Sequence, residues 1–387
     1  MSRSSSWREY RHYWVLGVLL ILFIFGFYGL GSMYALSNVK TKTVVLSSDQ
    51  FKSSLATLTN TAFEVEAVTK LTNDYEAYAL QVVDHNSVIF QMPDKSYRGL
   101  KLAVLHLDDN QLVEISKSSE FGITLTPDAK QLIYFKTENR ETAPKTYIYD
   151  LQANKQLKKM DYYFESNIFF MDNEQYMGFS KNYFTLSNVT TGEIQPLISY
   201  EGLKNLLQTA SDSKDPVPLD FKKGERPNLV YFLAEYKGGT GIFTMDLNHT
   251  NQVDLTIQGE AINQFEILNN GDLLLQGKIE KKEGLFLYEK AAKKFHLLQE
   301  GTISNFALDA DEKRIAYVVV HNNQNIGYPQ TGDLHAAYLD QGSLDSDTVI
   351  YRNISPVQSL IWRQNDLFSS SSQINKSEIF RFTFKEQ

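Results

Sequence analysis

The sequence predicts an all-β propeller of about seven four-stranded blades, and three observations predict it. Turn signals recur at Asp84-His85-Asn86, Pro127-Asp128, Asp172-Asn173-Glu174, Gly224–Asn228, Asn269-Asn270-Gly271, Asp309–Lys313 and Gln364-Asn365-Asp366, with first-residue spacings of 43, 45, 52, 45, 40 and 55. Between them lie short apolar runs, partly β-branched or aromatic, of the kind that forms buried strands. The chain also carries 24 Phe and 22 Tyr in 387 residues, a composition that favours strands. A period near 45 with strand-like units is that of a propeller blade. Six or eight blades fit the spacing as well, because the first and last units are the least sharply marked.

The unit Leu125–Met160 is the most legible. Thr126-Pro127-Asp128-Ala129-Lys130 is a turn, since Pro presets φ and Asp bonds its own backbone two residues on. Leu132-Ile133-Tyr134-Phe135 reads as a buried strand, and Thr146–Leu151 as the next, ending in Tyr149-Asp150-Leu151. This order of turn, strand and Asp-Leu resembles the WD40-like repeat of the TolB-type β-propellers, which reads Ser-Pro-Asp-Gly-Lys, a strand, then Asp-Leu before Thr-Gly. Thr126 and Ala129 depart from that pattern, and no other unit keeps Pro-Asp at the equivalent turn. The resemblance implies the same architecture and protein partners in the cell envelope.

Third strands end at Leu107-Asp108, Tyr149-Asp150-Leu151, Leu186-Ser187, Met245-Asp246-Leu247, Tyr288-Glu289 and Leu339-Asp340, and five of these six carry an acid. The expectation is a carboxylate that starts each turn by capping backbone N–H groups; the other reading is a ring of acidic ligands. The last unit, Val357–Trp362, Asp366–Ser369 and Glu378–Phe384, lacks a fourth strand. Phe63–Val68, with Phe63, Val65 and Ala67 alternating inward, is expected to supply it and close the ring, which removes open sheet edges.

Ahead of the repeats, Tyr13–Leu36 carries no charge. At 1.5 Å per residue it spans roughly 36 Å, enough for a hydrocarbon core of about 30 Å. Tyr13, Trp14, Tyr28 and Tyr34 suit interfacial belts. The stretch is read as a transmembrane signal anchor; its length exceeds the usual signal-peptide core, and cleavage after Ser37 is the competing reading. Counting Lys and Arg near its ends gives a tie, and the short basic tail resembles the cytoplasmic side of a signal anchor. The predicted organisation is a basic cytoplasmic tail (1–12), the span (13–36), a tether with a short helix near Ser48, Phe51, Leu55 and Leu58 (37–61), and an extracytoplasmic propeller (62–387) in a cell membrane; the absence of Cys suits a bacterial envelope protein built without oxidative folding.

Two insertions break the period: Ser199–Val217, with a helix expected at Glu201–Leu207, and His321–Asp333. Strands alternate in direction within an antiparallel blade. Blade-to-blade connections and second-to-third-strand loops therefore open on one face, together with Thr137–Lys145 and Gln91–Gly99. Tight turns such as Gln152–Lys155 and Thr190-Thr191-Gly192 occupy the other. Long loops on a rigid scaffold carry binding residues. The predicted contacts are Tyr328 and Pro329, with Asn323, Asn325, Gln330 and Asp333 as a polar rim.

No Gly-x-Ser-x-Gly, Walker loop, Gly-x-Gly-x-x-Gly or His-Glu-x-x-His occurs, and with no Cys there is no thiolate chemistry. His321, Asp333 and His335 would converge on a metal only if their loop folded back, and Asp345 and Asp347 are a weak calcium candidate. No catalytic residue or cofactor is predicted. Residues 37–387 carry a net charge of −10, the total of −8 less the +2 of the tail, which disfavours nucleic acid and anionic lipid as main partners. The expected function is a membrane-anchored, extracytoplasmic protein-binding or scaffold module; the alternative is a small-ligand or metal-dependent enzyme or sensor using the central channel. Oligomeric state stays open.

Overall fold

The computed structural model describes residues 44–45, 63–71, 77–93, 100–119, 122–137, 144–160, 168–180, 182–208, 218–321, 330–340, 342–373 and 376–385. They form seven antiparallel sheets, so the seven-blade count holds. Blade 1 comprises β3 (Tyr78–Asp84), β4 (Ser87–Pro93), β5 (Leu100–His106) and β6 (Gln111–Ser119). Blade 2 comprises β7 (Ile123–Leu125), β8 (Gln131–Lys136), β9 (Lys145–Asp150) and β10 (Lys155–Met160). Blade 3 comprises β11 (Phe169–Phe170), β12 (Gln175–Ser180), β13 (Tyr183–Asn188) and β14 (Ile194–Ser199), followed by α1 (Tyr200–Gln208). Blade 4 runs through β15 (Pro218–Lys223), β16 (Leu229–Tyr236), β17 (Gly239–Asp246) and β18 (Val253–Gly259), and blade 5 through β19 (Ala261–Ile267), β20 (Leu273–Ile279), β21 (Lys282–Glu289) and β22 (Lys294–Glu300). Blade 6 holds β23 (Ile303–Leu308), β24 (Arg314–Val320), β25 (Gly332–Asp340) and β26 (Ser343–Ile354).

Blade 7 is built from both ends of the propeller. β27 (Val357–Arg363), β28 (Asp366–Gln373) and β29 (Lys376–Phe384) pair in sequence, and β2 (Val65–Lys70) adds to β29. The expected ring closure is thus present, with one correction. A bulge between Val65 and Ala67 shifts the alternation, so Val68 is buried beside Phe63 while Ala67 is only half-buried. A second correction concerns Val44–Val45, read from sequence as polar tether. They form β1, a fifth strand paired antiparallel to β2.

The core consists of seven apolar clusters, one in each gap between neighbouring blades. Strand period 2 explains why second strands read as unbroken apolar runs. On β16, Val230, Phe232 and Ala234 face blade 3, while Leu229, Tyr231 and Leu233 face blade 5. Both faces of second strands such as β8, β16 and β20 are buried, as in a sheet covered on both sides, whereas outer strands such as β10 and β18 are largely exposed. Each fully buried Phe or Leu stabilises the fold by about 1.5–3 kcal/mol. α1 joins this packing: Ser199 Oγ accepts from Gly202 N–H at 3.0 Å as its N-cap, and Leu203 and Leu207, one turn apart, sink into the gap between blades 3 and 4.

The turns behave as their residue types require. Asp84, Asp109, Asp150 and Asp246 each accept a backbone N–H two or three residues on, at 2.8, 3.0, 2.8 and 2.9 Å. Of the third-strand acids, Asp150 and Asp246 are thus caps, whereas in blade 1 the cap is Asp109 rather than Asp108, and Glu289 Oε2 lies 3.4 Å from His296 Nε2 instead. In the Thr126–Lys130 turn, Thr126 Oγ1 donates to Asp128 Oδ1 at 2.8 Å and accepts from Gln131 N–H at 3.0 Å. Ala129 stands there at φ 55, in the left-handed region that glycine adopts at no steric cost.

The stretch Tyr13–Leu36 and the tether helix near Ser48 lie outside the described residues. No helix among the described residues is long and apolar enough to cross a membrane.

Candidate functional site

The two faces of the ring differ in how they are finished. First strands begin, and fourth strands end, on the face that carries α1 and the connection between β24 and β25. The opposite face is closed by polar bonds between neighbouring turns. Asp128 N–H donates to Asn173 Oδ1 at 2.9 Å, Asn269 N–H to the Glu312 carboxylate at 3.0 and 2.9 Å, and Arg314 Nη2 to Gln364 O at 2.6 Å. Lys290 Nζ bridges blades 5 and 4 there, donating to Glu225 Oε1 at 2.7 Å and Tyr231 Oη at 2.6 Å. Burial opposes charge on Glu225, but the Lys290 and Tyr231 hydrogen bonds prevail and hold its carboxyl below the ordinary glutamate range.

On the insertion-bearing face the β24–β25 connection rises from a built stem. His321 N–H donates to Thr331 O at 2.8 Å, extending the hairpin one pair past Val320 and Gly332. Gly332 is required at that step, because a Cβ would lie 2.6 Å from Val319 O. Asp333 then ties three segments together. Its Oδ1 accepts from Asn353 N–H at 3.1 Å and lies 3.1 Å from His321 Nε2; its Oδ2 accepts from Arg352 Nη1 at 3.1 Å. The carboxylate is largely buried at the root of the loop.

Of the predicted contact residues, Asn323, Asn325, Tyr328 and Pro329 lie outside the described residues. Gln330 is exposed where the chain re-enters the blade. Asp333 is on β25 itself, so the insertion proper ends at Thr331, two residues earlier than the spacing suggests. His321 and Asp333 meet, as their bracketing positions allow, but His335 turns elsewhere. Its Nδ1 lies 3.1 and 3.2 Å from the two Asp347 carboxylate oxygens. A carboxylate only accepts, so Nδ1 carries the proton. The imidazole stacks on Tyr317 at 4.9 Å and 17°. Burial, with the Asp347 charge adding to it, pushes the Tyr317 hydroxyl well above the usual tyrosine range. Asp345 caps Ser346 N–H at 2.8 Å. Among the described residues no group of three or more His, Asp or Glu is placed to hold a metal ion.

Sequence reasoning missed Arg352 and Asn353, which reach Asp333 only because β26 is 12 residues long and bulged against β25. It also missed the channel edge. Gln81 Nε2 donates to Ile123 O at 3.5 Å, Gln264 Nε2 to Phe306 O at 2.9 Å, Asn305 Nδ2 to Gln358 O at 3.1 Å, and Arg363 Nε to Val82 O at 3.2 Å. Each of these links one innermost strand to the next. Bulges near the start of β15, β19 and β27 leave Leu219, Asn263 and Gln358 exposed.

Comparison with solved structures agrees with this architecture. The chain is similar to an oligogalacturonate lyase in complex with manganese, with a TM-score of 0.60 and 11% identity over 90% of this chain and 99% of that one. TolB from Acinetobacter baumannii also matches, with a TM-score of 0.42 and 13% identity over 69% of this chain and 67% of that one. The likeness to the lyase is one of fold. No protein-family model and no curated protein sequence matches the chain.

Proposed function

We propose that the protein is a membrane-anchored, extracytoplasmic binding or scaffold module of the cell envelope, which captures a protein on the insertion-bearing face of its propeller. The observation that carries this reading is the asymmetry of the ring. One face is bonded turn to turn, whereas the other carries α1 and an insertion set on a clamped stem at His321, Asp333 and Arg352. A rigid scaffold that holds extra chain on one side is arranged for recognition. The uncharged stretch Tyr13–Leu36 supports the anchor, being long enough to span a bilayer. Tyr328 and Pro329 are the apolar contacts of this reading, and Asn323, Asn325 and Gln330 its polar ones.

In-cell photocrosslinking from position 328, in place of Tyr328, tests it, with position 153 on the opposite face as control. A discrete protein adduct at 328 alone supports the reading. Adducts at both positions point instead to a packed assembly in which the propeller is structural.

A second reading places a small ligand or metal in the channel, and one observation favours it: Asn263 and Gln358 stand exposed at bulges on innermost strands. The manganese-bound lyase of the same fold makes Mn²⁺ the first ion to try. A rise of several degrees in thermal midpoint at saturating Mn²⁺, abolished by Asn263→Ala, would favour the channel, because preferential binding to the folded state stabilises it.

A further inference from the structure

The strand that precedes β2 gives the propeller a direction relative to its anchor. β2 is the fourth strand of blade 7, so it ends, at Lys70, on the insertion-bearing face. β1 runs antiparallel to it, with Val44 opposite Lys70 and Val45 opposite Thr69. The chain therefore reaches Val44 at the insertion-bearing face and proceeds from there toward the tight-turn face.

The length of chain before Val44 turns this direction into a constraint. Eight steps separate Leu36 from Val44. At no more than about 3.6 Å each they reach roughly 29 Å. A tight-turn face held against the bilayer would require the chain to climb the full height of β2 first. Six residues at about 3.4 Å take up roughly 20 Å of that reach. With the insertion-bearing face toward the bilayer no such climb is needed.

We infer that the insertion-bearing face is the membrane-proximal face of the propeller, and that its partner is a protein embedded in the same membrane. This rests on the anchor reading of Tyr13–Leu36 given above. Two observations favour protein over lipid as the occupant. Residues 37–387 carry a net charge of −10, which anionic headgroups repel. α1, the helix on that face, turns Leu203 and Leu207 into the core and exposes Glu201 and Asn205, the reverse of a helix that beds its apolar side in a bilayer.

The chain has no cysteine, so single labels can be placed without background. Donor dyes at Asn205→Cys and Gln330→Cys report the insertion-bearing face; Ala153→Cys and Ala292→Cys report the other. Full-length protein in phosphatidylcholine liposomes with a headgroup acceptor dye should show greater energy transfer from 205 and 330 than from 153 and 292. Equal or reversed transfer, in protein that floats with the liposomes, overturns the orientation. Protein that fails to float overturns the anchor reading beneath it. For the partner, a photocrosslinker at 205 in cells should yield a discrete protein adduct whose partner, identified by peptide sequencing, stays in carbonate-washed membranes of cells that lack this protein. A partner that carbonate releases from those membranes, or an adduct that adds only lipid and no second polypeptide, overturns the choice of a membrane-embedded protein.

Discussion

The carboxamide of Gln264 holds both main-chain groups of Phe306 across the gap between blades 5 and 6. Its Nε2 donates to the Phe306 carbonyl at 2.9 Å, and its Oε1 accepts from the Phe306 N–H at 3.2 Å. An innermost strand has one edge paired within its blade and one edge facing the channel, where backbone groups need partners. Gln264 supplies both at once, as another strand would. Gln264→Leu keeps the side-chain volume and removes the pair, and should cost about 1–3 kcal/mol if the Phe306 groups are left unsatisfied. Urea unfolding at unchanged m-value measures this. An unaltered midpoint would show that channel water takes over both bonds.

Ala129 offers the converse test, a gain. It sits at φ 55 in a turn whose other bonds, from Thr126, Asp128 and Gln131, are all in place. A left-handed residue with a Cβ costs roughly 1–2 kcal/mol relative to glycine, partly offset by the greater freedom of glycine in the unfolded chain. Ala129→Gly should therefore raise stability by about 0.5–1 kcal/mol. A drop in thermal midpoint would mean that unfolded-state entropy outweighs the local strain.

These two positions mark what a sequence can and cannot convey. The turn at Thr126–Lys130 is written in contiguous residue types, and so are the seven turns that set the blade count. The helix at Tyr200–Gln208 was legible from its apolar spacing and extends one residue past the expected Glu201–Leu207 at each end. The closing strand could be inferred because blade 7 lacked one, although the bulge that exchanges Ala67 for Val68 could not, since a bulge is a property of the pair. The contacts of Gln264 with Phe306 and of Asp333 with Arg352 join residues 42 and 19 apart with no local period linking them. Both depend on the register between strands, which a linear reading does not contain. The pairing of Val44–Val45 was missed for the same reason: two β-branched residues in a polar stretch have no pattern of their own.

Closure by β2 should be essential to the fold. Phe63 packs on Tyr338 at 4.7 Å and on Phe384 at 6.0 Å, so it joins blade 6 to both ends of blade 7. A chain starting at Leu71 would leave the β29 edge unpaired and the Phe63 pocket empty. It should aggregate or pair edge to edge. Phe63→Ala, a milder change, should cost about 3–5 kcal/mol. Light scattering and denaturant melts separate the two effects; a monomeric, cooperatively folding truncation would show that the ring tolerates opening.

Acid should weaken the bond between blades 4 and 5 at the tight-turn face. The Glu225 carboxyl is held below its ordinary value of about 4.5 by Lys290 and Tyr231. A depressed carboxyl contributes stability that is complete above the ordinary value and is lost as pH falls through the folded one. Between about pH 5 and the folded value, stability should decline, and Glu225→Gln should flatten that part of the profile while lowering stability at pH 7. Equal slopes for the two proteins below pH 4.5 would show that other carboxylates govern the acid limb.

Asp333 separates the stem of the insertion from its tip. Replacing residues 322–330 with a short turn removes the proposed contacts but leaves His321, Asp333 and Arg352 in place, so the blade should fold with little change in midpoint. Asp333→Ala does the reverse. It removes the acceptor shared by Arg352, Asn353 and His321 and leaves the loop sequence intact. Arg352 is half exposed, at 47% of its side chain, so solvent screens that part of the loss. The expected cost is about 1–2 kcal/mol, mainly from the Asn353 N–H left without its charged acceptor. If the stem positions the loop for its partner, Asp333→Ala should weaken capture at position 328 while the propeller still melts cooperatively. Asp333→Asn, which keeps an acceptor for Asn353 but not the charge for Arg352, should fall between the two. Full capture by Asp333→Ala, with the short-turn variant inactive, would place recognition wholly in the tip and leave the clamp with a structural role alone.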